Sequence, residues 1–104
     1  MLRTLETNRA FEALARAFLS QRPEIPHEWR EIRDAWWGGR TDLVCYPGEP
    51  REIFASLTET QITVGSKENE TDFEDFGRGL NPAQLAAEAF ARFEDLLSRV
   101  GHDA

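Results

Sequence analysis

Apolar positions recur along this chain with two periods, and the change of period divides it. Phe11, Leu14, Ala15, Phe18 and Leu19 fall three and four residues apart. That spacing puts them on one stripe of a helix and predicts a helix over 5–21, stopped by Pro23. Leu85, Ala89, Phe90, Phe93, Leu96, Leu97 and Val100 repeat the pattern near the C-terminus. Local signals frame this second stripe. Asn81 suits a helix N-cap, Pro82 the first helical position, and Gln84 the reciprocal place in a capping box. Leu80 and Leu85 stand at the spacing of a hydrophobic staple, and Gly101 is the expected stop.

Between the helices the period becomes two. Ile53, Ala55 and Leu57 alternate with Glu52, Phe54 and Ser56; Ile62 and Val64 alternate with Gln61, Thr63 and Gly65. Successive strand side chains point to opposite faces, so both runs read as half-buried strands. A four-residue loop over 58–61 sets Leu57 opposite Ile62 and Ala55 opposite Val64. Residues 41–46, TDLVCY, read as an earlier strand, and Pro47-Gly48-Glu49-Pro50 as the turn that follows it. With a four-residue turn there, Tyr46 faces Arg51 and Val44 faces Ile53. Val44 then joins the Ile53 face, while Leu43, Cys45 and Phe54 lie on the other. A further short strand fits 71–73.

The stretch from Pro26 to Trp37 reads as a second helix. Pro26 fits its first turn, Gly38-Gly39 its end, and Trp29, Ile32 and Trp36 one side of it. The predicted class is therefore α+β in the order α-α-β-β-β-α. An antiparallel three-stranded meander is packed by a long C-terminal helix and two N-terminal helices. At 104 residues the chain reads as one domain over 1–104, with no repeat or linker.

Charge adds asymmetry. The formal net charge is −7. Residues 1–51 hold eight arginines and eight acids, so the whole excess lies in 52–104, where four basic residues meet eleven acidic ones. Residues 67–76, KENETDFEDF, concentrate five acids, Glu68, Glu70, Asp72, Glu74 and Asp75, around Phe73 and Phe76. Phosphate binding needs Lys and Arg, so this half argues against nucleic acid or an anionic membrane. Clustered carboxylates with aromatic residues suit a basic protein partner.

Catalytic equipment is sparse. Cys45 is the one cysteine, His27 and His102 the two histidines, and no Walker loop, Rossmann fingerprint, serine elbow or zinc-ligand spacing occurs. The acids at Glu68, Glu70 and Asp72 alternate like early ligands of a calcium loop. The glycine and bidentate acid that such a loop needs would fall at Phe73 and Gly79, so no metal or other cofactor is expected. A lone cysteine and the absence of an apolar span or signal pattern point to a reducing cytoplasm.

The expectation is a small acidic, non-enzymatic binding or inhibitory protein. It shares only the physical class of immunity proteins and antitoxins. Its partner-binding residues would be Glu68, Glu70, Asp72, Phe73, Glu74, Asp75, Phe76 and Trp37, the last a candidate hot spot. The alternative is a small-ligand binder or minor enzyme. Its pocket would lie between Trp29, Trp36 or Trp37 and the sheet, with Arg30, Arg33 and Arg40 nearby. A homodimer through the face of Leu43, Cys45 and Phe54 is compatible with either.

Overall fold

In a computed structural model, one sheet carries two helices on a single face. Residues 2–33, 39–58, 61–74 and 79–102 are described, with side chains from Glu6 to Val100. The elements are α1 (Leu2–Ser20), β1 (His27–Ile32), β2 (Arg40–Cys45), β3 (Ile53–Leu57), β4 (Ile62–Ser66), β5 (Glu70–Phe73) and α2 (Pro82–His102). The α+β class stands, but the sheet has five strands in the order β1-β2-β3-β4-β5, every neighbouring pair antiparallel.

The second N-terminal helix is the main correction. Residues 27–32 form β1, which pairs His27 with Cys45, Trp29 with Leu43 and Ile32 with Arg40. In a strand, Trp29 and Ile32 fall on opposite faces, unlike in the helix their spacing suggested. HEWREI carries too few apolar residues for its own pattern to choose between periods. The unpaired edge of β2 decides, because it offers this segment a full set of backbone partners. The Tyr46 amide extends the ladder by donating to the Pro26 carbonyl at 2.8 Å. Trp36, Trp37 and Gly38, which were to complete that helix, lie outside the described residues.

The β3–β4 register is as the alternation predicts, with Leu57 opposite Ile62 and Ala55 opposite Val64. The Thr58 side chain closes this hairpin: the Gln61 amide donates to Thr58 Oγ1 at 3.1 Å. The β2–β3 register differs by one residue. Cys45 pairs with Ile53, Leu43 with Ala55 and Val44 with Phe54. Two successive turns cause the slip, with Glu49 N donating to Tyr46 O and Glu52 N to Glu49 O, both at 3.1 Å. Tyr46 takes a left-handed conformation, φ 54°, to enter them. A one-residue slip exchanges faces. Leu43 and Cys45 therefore enter the core, both fully buried, while Phe54 remains on the other face. The dimer face of Leu43, Cys45 and Phe54 does not exist.

Both helices cover the Leu43 face. Phe11 and Ala15 of α1 and Ala86, Ala89 and Phe93 of α2 are completely buried with Ile53, Ala55, Ile62 and Val64. Phe11 is the hinge of the helix pair, meeting Phe93 edge-on at 5.9 Å and Phe90 at 6.2 Å. Leu14, assigned to the α1 stripe, is 39 % exposed; Thr7, at 3 %, is buried in its stead. The capping box forms in both directions. Gln84 N donates to Asn81 Oδ1 at 2.8 Å and Asn81 N to Gln84 Oε1 at 3.1 Å. The helix does not stop at Gly101 but runs to His102.

Candidate functional site

Among the described residues nothing covers the sheet face away from the helices, and strand alternation determines what it displays. Cross-strand pairing lines up Arg30, Asp42, Ser56, Thr63 and Asp72 in one row. The next row is Glu28, Val44, Phe54, Gly65 and Glu70. The first row is tied by hydrogen bonds. Ser56 Oγ donates to Asp42 Oδ1, Thr63 Oγ1 donates to Asp72 Oδ1 at 2.8 Å, and Gln61 Nε2 donates to Thr63 Oγ1 at 3.0 Å. Arg40 Nε reaches Asp42 Oδ2 at 3.2 Å, and Arg30 pairs with Glu28 along its own strand. The Glu52 carboxylate, just before β3, accepts the Gly48 amide at 2.9 Å.

A shallow depression of about 450 Å³ lies over these rows. Its floor is Val44, 5 % exposed, with half-buried Phe54. Arg30 and Arg40 stand on one side and Glu52 and Glu70 on the others. Gly65 keeps its place in the floor bare of side chain. A Cβ there would come within 2.2 Å of the Asn69 carbonyl oxygen and 2.7 Å of Glu70 Cα. The β4–β5 hairpin therefore closes tightly only over glycine. Neither Lys67 nor Glu68 in its turn has positive φ, so this is not one of the primed turns that usually match hairpin twist.

Of the expected partner-binding residues, the structure joins some and separates others. Glu70 and Asp72 project from β5 onto the uncovered face. Glu68 is exposed in the β4–β5 turn, and Glu74 is half-buried just after β5. Phe73 points to the opposite face, paired with Ile62 and packed against the core, so it does not share a surface with Glu70 and Asp72. Asp75, Phe76 and Trp37 lie outside the described residues. Asp42, Phe54, Ser56 and Thr63 were missed. Their signal was the polar alternation of β2 to β4, which becomes a surface only once the strands are in register.

The expected tryptophan pocket does not assemble from the described residues. Trp29 faces the helices with the Arg16 guanidinium 4.2 Å from its ring, whereas Arg30 and Arg40 are on the other face. The larger cavity, about 800 Å³, opens instead among the end of α1, the β2–β3 loop and α2. Arg22 lies 5.5 Å from the Phe18 ring and Arg51 3.9 Å from the Tyr46 ring on its walls.

His27 does stand opposite Cys45 across the β1–β2 ladder. That juxtaposition does not activate the thiol. Cys45 is fully buried, and burial pushes its pKa from 9.0 up to about 12, away from a nucleophilic thiolate. His27 Nδ1 instead lies 3.2 Å from the Ile25 carbonyl oxygen. Among the described residues no three His, Cys, Asp or Glu side chains gather as metal ligands. None of the described helices is long and apolar enough to cross a membrane.

No family model matches the chain, nor does any curated protein or solved structure.

Proposed function

We propose that this protein is a small acidic binding or inhibitory protein. It captures a basic protein partner on the uncovered sheet face and along β5, and it works without a cofactor in a reducing cytoplasm. The observation that supports this reading most is the composition of that face. Half-buried Phe54 is set among the carboxylates of Asp42, Glu52, Glu70 and Asp72, on a sheet whose other face is already filled by helices. An aromatic floor within a charged rim is the usual plan of a protein interface. Phe54 thereby takes the anchoring role first given to Phe73. Glu68, Glu70, Asp72 and Glu74 supply the field that speeds encounter with a basic surface, and they disfavour nucleic acid and anionic membranes.

The test is affinity capture from the host lysate at low and at moderate salt, with the wild type and with E70K/D72K. A basic protein retained at low salt, weakened by salt and lost from the variant is the expected result. Capture that ignores both salt and the charge reversal sinks the reading.

A second reading, a small-ligand binder, draws support from the 800 Å³ cavity, whose size is ordinary for metabolite sites. Its arginines Arg22 and Arg51, each over an aromatic ring, can stack on a planar anionic ligand, beside the carboxylates of Glu24, Glu94 and Asp95 that share the walls. Thermal shifts with aromatic carboxylates that vanish in R51A would favour it.

A further inference from the structure

We infer that the outer edge of β1 is a self-complementary interface that pairs antiparallel with β1 of a second copy, joining two five-stranded sheets into one of ten strands. Natural sheets blunt their free edges with short strands, charged side chains, proline or bulges. β5 follows that rule: it has four residues, and Glu70 and Asp72 would meet their own counterparts. β1 does so only with charges of both signs. It runs for six residues with no internal proline and in unbroken register with β2, and every residue in it but Trp29 is exposed.

The backbone determines which registers a second copy can adopt. Tyr46 N bonds Pro26 O, so that pair is hydrogen-bonded. By alternation the amides and carbonyls of Glu28, Arg30 and Ile32 also point toward β2. Those of His27, Trp29 and Glu31 point outward, and among the described residues no strand lies beyond them. Only registers that set these three residues against one another form a ladder. Among two-fold registers, one places Glu28 against Glu28 and another Arg30 against Arg30. The register centred on Trp29 alone sets opposite charges together. Glu28 of one copy faces Arg30 of the other, His27 faces Glu31, and Trp29 faces Trp29. In the same register Ile32, an exposed large apolar side chain at 37 %, meets exposed Pro26. That position is not a hydrogen-bonded one, so the missing proline amide costs nothing. Because Glu28 already pairs with Arg30 in its own strand, the two copies build an alternating square of four charges. The interface touches the uncovered face only at its β1 margin, through Glu28, Arg30 and Ile32, and not at the acids of β5, so the E70K/D72K capture test and the dimer test can fail separately.

Sedimentation velocity over a range of concentrations tests this, beside two kinds of variant. Glu31→Pro removes an outward amide and spares the β1–β2 bonds, a placement that edge strands tolerate. Arg30→Glu sets carboxylates against Glu28, and adding Glu28→Arg restores complementarity with the signs exchanged. The wild type should form a dimer of twice 11.9 kDa. Glu31→Pro and Arg30→Glu should each weaken it at least tenfold with unchanged far-ultraviolet circular dichroism, and the double variant should recover it. A wild type still monomeric at several hundred micromolar overturns the inference. So does a dimer indifferent to Arg30→Glu, or one that the exchanged pair fails to restore, whether or not Glu31→Pro folds.

Discussion

Truncating Phe93 to alanine should remove a large part of this protein's stability. The ring is 0 % exposed, at the point where α1, α2 and the sheet converge. It packs edge-on against Phe11 at 5.9 Å and 73°, and tilted against Phe90 at 6.5 Å and 36°. Loss of a buried phenylalanine costs about 3–5 kcal/mol, counting the transfer free energy and the cavity left behind. Collapse into that cavity is hindered here because the walls are two rings held by different helices and a sheet of fixed register. A value near 4 kcal/mol is therefore expected, against a total of roughly 5–15 kcal/mol for a domain of this size. Urea denaturation at one fixed protein concentration measures it, with Leu14→Ala as the control. Leu14 is on the same helix pair but 39 % exposed, and should cost about 1 kcal/mol or less. The urea midpoint should fall with the slope unchanged. A loss below about 1.5 kcal/mol for Phe93→Ala, or one equal to that of Leu14→Ala, would refute the placement of Phe93 at the closed centre of the core.

Three further outcomes follow from two other parts of the fold. Gly65→Ala forces a Cβ into the Asn69 carbonyl and Glu70 Cα, both backbone, so the β4–β5 hairpin must open; about 1–3 kcal/mol should be lost, and amide exchange should quicken in β5 before the core. Cys45 should resist a thiol reagent at pH 8 while the protein is folded and react once urea unfolds it. Its pKa is raised on folding, from 9.0 to about 12, so the stabilisation it gives relative to Cys45→Ala is full below pH 9 and lost as pH rises toward 12. Paired urea titrations at pH 8 and pH 10.5 should show that difference shrinking, and a difference that grows would contradict the burial.

The helices and the β3–β4 hairpin were legible along the chain because their determinants are local. The α2 stripe, the Asn81 and Gln84 box and the alternation of Ile53, Ala55, Leu57, Ile62 and Val64 need no distant residue to be read. The acidic character of β5 was equally plain, and so was the poverty of nucleophiles and ligands. What β1 becomes, and which face Val44 takes, are different kinds of question. HEWREI is nearly neutral between helix and strand, and it is a strand because β2 presents an unpaired edge to it. The face of Val44 turns on a single residue in the β2–β3 connection, where the left-handed Tyr46 and two chained turns replace the simple turn that Pro47 and Gly48 suggest. That one residue moves Leu43 and Cys45 into the core and sets Val44 beside Phe54 on the outer face. The β3–β4 and β4–β5 registers place Glu70 and Asp72 on that same outer face, and strand alternation turns Phe73 to the other. Local pattern carries the energy of burial, but the assignment of faces depends on register. Register is set by backbone pairing between strands far apart in the chain, and only the tertiary structure supplies it.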